Sequence, residues 1–551
     1  MTTPSPESPA SAFATALLAG FLERGIRDLV LSPGSRSQAL AIAAARFERA
    51  GLLRVHVRID ERSGAFLALG LALETRIPVL IVTTSGTAVG NLHPAVLEAA
   101  HSGVPLVVIS GDRPEELREI GANQTTRQAG IFAGVAARSW DVPAPVEGDD
   151  VRADALAAEV LDGIDGPRHV NLAFREPLSG PARLPDVEPG VWAVPLRHPE
   201  PVALDARPGT VVVAGTGAGP RAEEVARQLG APLLAEVASG ARFGPHLVPA
   251  YRELIGRAGF GDRVERVIVF GHPTLSREVP ALIERAGVTT IVVRGAGIDD
   301  YNPGRRVAAF ADAVTVSEPV DPDVARSWVG RWVAASRELL AVDEPPGAAL
   351  TDDLAERAAF AREQLVALRA PVTRRMLVEA VWNVSWPHDR LVLGASRLIR
   401  ELDKVAPGKR IPVYANRGLA GIDGTIATAT GIAIASQVDA DRPGITRVLL
   451  GDLAVLHDVG SLLGASGEAW PRLQLVVGAD GGGTIFDGLE VARTADPAIA
   501  DRVLYTPHSM DFGALAAAYG WEYRRVANRG ELDPTLTASA GHVLIEVPLA
   551  R

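Results

Sequence analysis

Short apolar runs recur along the chain, each stopping at a glycine, serine or aspartate and each followed by a longer stretch whose apolar residues fall at helical spacing. In the first third this predicts a helix over Ala12–Arg24, then strands at Asp28–Leu31, Arg54–Ile59, Pro78–Val82 and Pro105–Ile109, with a long apolar helix opening at Glu61. Val267–Phe270 reads as a strand of a middle segment. Leu391–Leu393, Pro412–Tyr414, Val448–Leu450 and Leu473–Val477 read as strands of the last, after an Ala/Glu/Arg-rich linking helix over residues 346–370. Strand, polar turn and helix alternating in this way predict an α/β fold of doubly wound parallel sheets, whose ligands sit beyond the carboxyl ends of the strands. A chain of 551 residues exceeds one hydrophobic core and divides into about three domains, at 1–190, 195–345 and 355–551.

Composition narrows the functional classes. Hydrophobic residues at 47% and charged residues at 22%, with 55 Gly and 40 Pro, describe a globular enzyme with many short connections. A net charge of −11 opposes a nucleic-acid partner. With no cysteine, disulfides, thiolate metal sites and cysteine nucleophiles are excluded, and a reducing cytoplasm is the natural setting. The Pro/Ser leader MTTPSPESPA has no signal-peptide pattern, and no run of 18 apolar residues suggests membrane insertion.

The richest chemistry lies between Val448 and Phe486. One apolar run ends at Gly451-Asp452, and a second, Leu473–Val477, ends at Gly478-Ala479-Asp480-Gly481-Gly482-Gly483. Two neighbouring parallel strands would place both carboxylates on one sheet edge beside accessible carbonyls, an oxygen-only setting that suits magnesium shared with a diphosphate. Gly-Asp and triple glycine are also ordinary turn chemistry. In the first segment, the strand-end loops carry Ser32, Arg36, Glu61, Ser85, Arg113, Asn123 and Gln124. Ser32–Ser37 reads either as an anion-binding turn or as an N-cap with a solvated arginine. Glu61 reads either as a helix-dipole carboxylate or as a buried acid that meets a cofactor nitrogen. In the last segment, Ser396 and Arg400 fall one helical turn apart, and Arg417 precedes Gly418; a cap and two surface arginines would read the same way. His93 and His457 read as structural.

Gly-Asp followed by the glycine turn resembles the signature of thiamine-diphosphate enzymes. SPGSRS, DERSGAFLALGLA, TSGTAVGNLHPAVLEA, GDRPEEL and GANQTTRQ resemble the pyrimidine-binding domain of the 2-succinyl-5-enolpyruvyl-6-hydroxy-3-cyclohexene-1-carboxylate synthase family of menaquinone biosynthesis, and the likeness recurs in order through all three segments. The resemblance implies three domains of the thiamine-diphosphate enzyme type: pyrimidine-binding, central Rossmann-like and diphosphate-binding. It further implies thiamine diphosphate with Mg2+ or Mn2+, the substrates 2-oxoglutarate and isochorismate, and a homodimer or dimer of dimers with the cofactor between subunits.

Residue by residue, the resemblance puts the metal on Asp452, Asp480 and the Gly482 carbonyl, with Asp480 where the family usually has Asn. Glu61 is the implied catalytic residue, bonded to the aminopyrimidine; Ser85, Gly86, Ile422, Gly451, Leu453 and Ile485 are implied to complete the cofactor site. Ser32, Arg36, Arg113, Asn123, Gln124, Arg277, Ser396, Arg400, Arg417, Phe486 and Leu489 are implied to meet the substrates, the arginines through carboxylates.

The middle segment opens with TVVVAGTGAGP, where Gly215, Gly217 and Gly219 imitate a dinucleotide turn and Glu236 stands near a ribose acceptor's place. The spacing departs from that of the fingerprint, which favours an unliganded spacer. Two rivals remain: an acetohydroxyacid-synthase-like enzyme with a flavin in this segment, and a non-catalytic scaffold that has lost its metal.

Overall fold

The computed structural model describes residues 8–194, 199–318, 320, 322–341, 353–438, 443–538 and 541–551. The first seven residues of the leader, residues 195–198 of the first joint and the start of the 346–370 helix lie outside the described residues; that helix is seen as Leu354–Arg369, begun by an Asp353 side-chain cap.

Among the described residues, three parallel sheets of five or six strands form in sequence order, with a separate two-stranded parallel pair in the middle. The first is built from β1 (Asp28–Leu31), β2 (Arg54–Val57), β3 (Val79–Thr83), β4 (Leu106–Asp112), β5 (Arg138–Val142) and β6 (Arg168–Ala173), in the order β2-β1-β3-β4-β6-β5. In the middle, β7 (Val202–Leu204) pairs with the later β13 (Val314–Val316). Beside that pair, β8 (Thr210–Ala214), β9 (Leu233–Ala235), β10 (Arg266–Phe270), β11 (Thr289–Val293) and β12 (Ala309–Ala311) run in the order β12-β11-β10-β8-β9. The last sheet contains β14 (Arg390–Leu393), β15 (Val413–Tyr414), β16 (Thr446–Gly451), β17 (Leu473–Ala479), β18 (Glu522–Arg525) and β19 (His542–Pro548), in the order β15-β14-β16-β17-β19-β18. Counted from its own first strand, the last sheet repeats the order of the first. Each therefore reverses direction after its first strand, between β1 and β3 and between β14 and β16, and opens a ligand crevice at that switch point.

β3 and β16 are buried almost throughout, as apolar strands covered on both faces must be. β2 stops at Val57, two residues before the predicted end, because Arg58 turns to Glu468 at 2.9 Å and Asp60 caps the next helix through Arg62 N and Ser63 Oγ. That helix, Glu61–Thr75, is buried from Ser63 to Ala72. It is apolar on every side because it lies between the first sheet and the helix Thr425–Gln437 of the last unit. Burying Leu67, Leu69 and Leu71 contributes about 2 kcal/mol each. Among the described residues, no helix is long and apolar enough to cross a membrane.

Candidate active site

Most of the sequence-predicted residues follow the carboxyl ends of strands of the first and last sheets. Ser32 follows β1, Ser85 follows β3 and Arg113 follows β4 on the first sheet. Ser85, Arg113 and Gln124 form one cluster: Arg113 Nη1 donates to Ser85 Oγ and, at 2.9 Å, to the Gln124 carbonyl, and Gln124 Nε2 donates to the Ser85 carbonyl at 3.0 Å. Gly86 and Gln124 both adopt positive φ, at 81° and 54°, so the two turns close on each other. Gly86 N also donates to Gln128 Oε1.

Arg36 is half-buried. Its Nη1 donates to the Phe174 carbonyl while its Nε is buried without a partner, which is not the solvated arginine of the capping alternative. Ser37 stands at the cap position of helix Gln38–Arg49 but makes no capping bond. Glu61 is half-buried, and its carboxylate has no recorded partner among the described residues. Asn123 is exposed, as is the side of Gln124 away from Ser85.

On the last sheet, β16 and β17 are neighbours in register, Gly451 beside Gly478, so Asp452 and Asp480 emerge from adjacent strands at one edge. Asp452 is 1% exposed. Its Oδ1 accepts from Leu453 N and its Oδ2 from Gly481 N, both at 2.7 Å, while His508 Nε2 lies 3.3 Å from Oδ2. Burial, and then the charge of Asp480, push the Asp452 carboxyl above its ordinary range, the condition in which a cation is most welcome. Asp480 Oδ2 accepts from Arg374 Nη2 at 2.7 Å and from Thr484 Oγ1 at 2.5 Å.

Gly482 needs to be glycine. Its φ is 155°, and a Cβ there would lie 2.4 Å from the Tyr505 carbonyl. The oxygens of Asp452, Asp480 and the Gly482 carbonyl suit a hard divalent cation, with the His508 ring and the Arg374 guanidinium beside them. Among the described residues, no three His, Cys, Asp or Glu side chains converge on one point, so backbone, water or phosphate oxygens would complete the shell. Ile422 packs on the cluster that contains Val448, Ala454 and Val455, beside the Asp452 helix. Ile485, Phe486 and Leu489 are partly buried after the glycine turn, the Phe486 ring edge-on to Tyr505.

Ser396 does cap its helix, through Leu398 N at 3.1 Å, as the bland alternative holds, yet the arginines are not surface residues. Arg400 Nη1 donates to the Ser396 carbonyl, and burial lowers its pKa. Arg417 is 3% exposed: its Nε and Nη2 bond Thr274, while Nη1 is buried without a partner. Arg277 is 72% exposed at its side chain and pairs with Glu490 at 3.2 Å, which brings the middle loop beside the Ile485–Leu489 wall without burying it. The His93 ring packs on Phe132, and the backbone carbonyl of His457 accepts from Arg62 Nη2.

Several contributors escape a reading of motifs. Glu98, buried in helix His93–Ser102, accepts from Gly418 N and Leu419 N at 2.7 and 2.8 Å and so fixes the turn after Arg417; its only signal is a charge on a buried apolar face. Asp458 accepts from Ile426 N, Ala427 N and Ser461 Oγ, tying the Asp452 segment to the helix that follows Ile422. Ser461 Oγ also lies 2.9 Å from Ser63 Oγ, two residues from Glu61.

The imitation of a dinucleotide turn has another cause. A Cβ on Gly215 would lie 2.1 Å from Pro273 N, so this glycine admits the loop after β10. Glu236 is likewise engaged, accepting from Thr274 N and Leu275 N.

Comparison with known proteins agrees with this arrangement. Residues 13–131 match the family model described as thiamine pyrophosphate enzyme, N-terminal TPP binding domain. A 2-succinyl-5-enolpyruvyl-6-hydroxy-3-cyclohexene-1-carboxylate synthase of Leifsonia xyli subsp. xyli is 57% identical, across 100% of this chain and 98% of its own. That of Clavibacter michiganensis subsp. michiganensis is 54% identical over the same shares, and that of Mycolicibacterium vanbaalenii 37% identical over 96% and 94%. With its sheets, its carboxylate edge and its full-length relatives in agreement, the chain belongs to the 2-succinyl-5-enolpyruvyl-6-hydroxy-3-cyclohexene-1-carboxylate synthase family, thiamine-diphosphate-dependent transferases.

Proposed function

We propose that this enzyme decarboxylates 2-oxoglutarate and adds the remaining succinyl unit to isochorismate, in the cytoplasm, as a step of menaquinone biosynthesis. Thiamine diphosphate supplies, when bound, the means to stabilise the negative charge left at the keto carbon as carbon dioxide departs. The observation that carries the reading is the pair of substrate-facing cations on the edge that bears Asp452: Arg417, buried with Nη1 free, and Arg400. A buried guanidinium such as that of Arg417, with half-buried Arg400 on the same edge, is costly unless an anion meets it, and both proposed substrates carry carboxylates.

The chain's residues divide the work. Asp452, Asp480 and the Gly482 carbonyl hold Mg2+, with Mn2+ as a substitute, and Gly451, Leu453, Ile485, Ser85 and Gly86 line the cofactor. Ile422 supports the cofactor from beneath. Glu61 would hydrogen-bond the aminopyrimidine ring and exchange a proton with it, favouring its imino tautomer. Ser32, Arg36, Arg113, Asn123, Gln124, Arg277, Ser396, Arg400 and Arg417 orient the substrates, against a wall of Phe486 and Leu489. The domains fall at 1–190, 195–345 and 355–551, and the active unit is a homodimer or dimer of dimers, with Glu61 of one subunit facing Asp452 of another.

The test separates proton transfer from binding. Glu61→Gln preserves shape, so thiamine diphosphate should still bind in calorimetry while exchange of its C2 proton slows by about two orders of magnitude or more. Exchange at the wild-type rate, with metal and cofactor saturating, would leave Glu61 a helix-dipole carboxylate and overturn the assignment.

A further inference from the structure

The middle unit reads from sequence as a spacer, yet its contacts converge on the elements that carry the proposed substrate arginines, buried Arg417 and half-buried Arg400. β9 ends at Ala235, and the next two residues each take hold of a different arginine-bearing element. Glu236, 1% exposed, accepts through Oε1 from Thr274 N at 2.7 Å and Leu275 N at 2.6 Å. Thr274 then holds Arg417: its Oγ1 accepts from Nε at 2.9 Å and from Nη2 at 2.7 Å, and its carbonyl accepts from Nη2 at 3.1 Å. Val237 N donates to Asp403 Oδ1 at 2.7 Å, and Asp403 lies on helix Arg397–Val405 with Arg400. Tyr251 Oη and Arg252 Nη2 donate to the other oxygen of Asp403 at 2.7 and 2.6 Å, and Arg242 Nη2 donates to the Asp403 carbonyl at 2.8 Å, so Val237, Tyr251, Arg252 and Arg242 of the middle unit all hold this helix.

The chemistry of the Arg417 pair is unusual. Thr274 is neutral, so it fixes the plane of the guanidinium without neutralising it. Of the buried carboxyls that act on Arg417, the strongest, Glu236, spends one oxygen on two backbone amides and leaves the other, Oε2, buried without a partner. Burial, and then the neighbouring Asp403, push its pKa up to about 8, so it withholds a full counter-charge near neutrality. Arg417 is thereby left oriented, cationic and open at Nη1.

The loop that carries Thr274 is braced on its far side as well. Thr216 and His272 exchange backbone hydrogen bonds at 2.9 and 3.2 Å, and Gly215 admits Pro273 against the glycine turn. That bracing gives the glycines of the middle unit a purpose: they let the turn after β8 press on the loop after β10. A rigid loop fixes the arginine's direction to within the tolerance that carboxylate recognition requires.

We propose that Thr274 and Glu236 are positioning residues that aim Arg417 at a carboxylate of an anionic substrate, with Glu236 acting through the Thr274-Leu275 backbone. The proposal rests on the reading that Arg417 binds a substrate carboxylate. It makes the middle unit part of the specificity apparatus. It also predicts that damage there weakens substrate binding and leaves cofactor binding intact.

Steady-state kinetics on the full-length enzyme with saturating magnesium and thiamine diphosphate test it, with 2-oxoglutarate and isochorismate varied in turn. Thr274→Val removes both Oγ1 bonds at nearly constant volume; it should raise KM for one of the two substrates about tenfold or more while kcat falls less than threefold. Thr274→Ser keeps the hydroxyl and should return KM to within about threefold of wild type, which a packing role for the threonine methyl would not allow. Glu236→Met should match Thr274→Val, and Glu236→Gln, which keeps the accepting oxygen, should match wild type. Cofactor affinity by calorimetry should be unchanged in all four.

Arg417→Gln separates the two levels of the claim. If it leaves both KM values unchanged, Arg417 meets no substrate carboxylate and both readings fall. A raised KM in Arg417→Gln alongside wild-type values in Thr274→Val overturns the positioning proposal alone. Should Glu236→Met not fold, the Thr274→Val and Thr274→Ser pair decides the matter by itself.

Discussion

Arg374 and Asp480 form an ion pair at 2.7 Å across the proposed metal edge, with only 14% and 11% of their side chains exposed. The pair changes what Asp480 means. A second carboxylate beside Asp452 would overload the edge with negative charge, and Arg374 offsets it. Asp480→Asn keeps an oxygen ligand, so metal-dependent cofactor binding should survive within about tenfold. The same change leaves a half-satisfied guanidinium, whose Nε already lacks a partner, and should cost about 2 kcal/mol of stability by denaturant unfolding. Arg374→Met combined with Asp480→Asn should recover most of that loss. Asp452→Ala, in contrast, should abolish binding. Equal loss of binding in Asp480→Asn and Asp452→Ala would show that the edge needs the charge of Asp480 and not merely its oxygen.

Gly70 and Gly431 set the distance between the first and last units. A Cβ on Gly70 would lie 2.0 Å from the Thr428 carbonyl oxygen, and one on Gly431 would lie 2.2 Å from that of Leu67. Backbone cannot yield as a side chain can. Gly70→Ala should therefore destabilise by about 3 kcal/mol, measured as a shift in the denaturant midpoint with unchanged slope. Gly90, which has open space around its Cβ position, is the control; Gly90→Ala should be neutral or gain about 0.5 kcal/mol.

These glycines illustrate what could be read in the chain and what could not. Strand ends such as Gly451-Asp452 were legible because an apolar run that halts at a carboxylate marks a sheet edge locally. The role of Glu98 was not, because its partners Gly418 and Leu419 lie 320 and 321 residues away. Arg374 and Thr274 escape for the same reason: each acts on a residue far along the chain, and nothing local distinguishes it from any other polar residue. Gly215 and Glu236 show the converse, a local pattern that imitates a dinucleotide turn while Gly215 packs on Pro273 and Glu236 bonds Thr274 N.

A buried histidine should make the first unit acid-sensitive. His169 is fully buried and bonded through Nε2 to Ser110 Oγ at 2.8 Å; burial depresses its pKa from 6.5 to about 4. The unfolded chain therefore binds the proton more readily than the folded one. Stability from this group is complete above about pH 6.5 and is lost as pH falls through that value towards 4, about 3 kcal/mol in all. Unfolding free energies at pH 7 and pH 4.5 should fall more for wild type than for His169→Gln, and equal losses would remove His169 as the cause.

The proposed sharing of the active site between subunits has its own consequence. Glu61→Gln and Asp452→Ala homodimers should each be nearly inactive, but exchanged subunits would form some sites with both residues intact. Mixing under conditions of verified exchange should restore up to about a quarter of wild-type activity on a per-site count in randomly mixed dimers. No recovery would mean that Glu61 and Asp452 serve the cofactor from one chain.

The most direct measurement is of the reaction itself. Purified enzyme with magnesium, thiamine diphosphate, 2-oxoglutarate and isochorismate should consume isochorismate and release carbon dioxide in equal amounts, and omission of either thiamine diphosphate or 2-oxoglutarate should stop both. Isochorismate left unconsumed under these conditions, or consumed equally well with pyruvate in place of 2-oxoglutarate, would contradict the assignment.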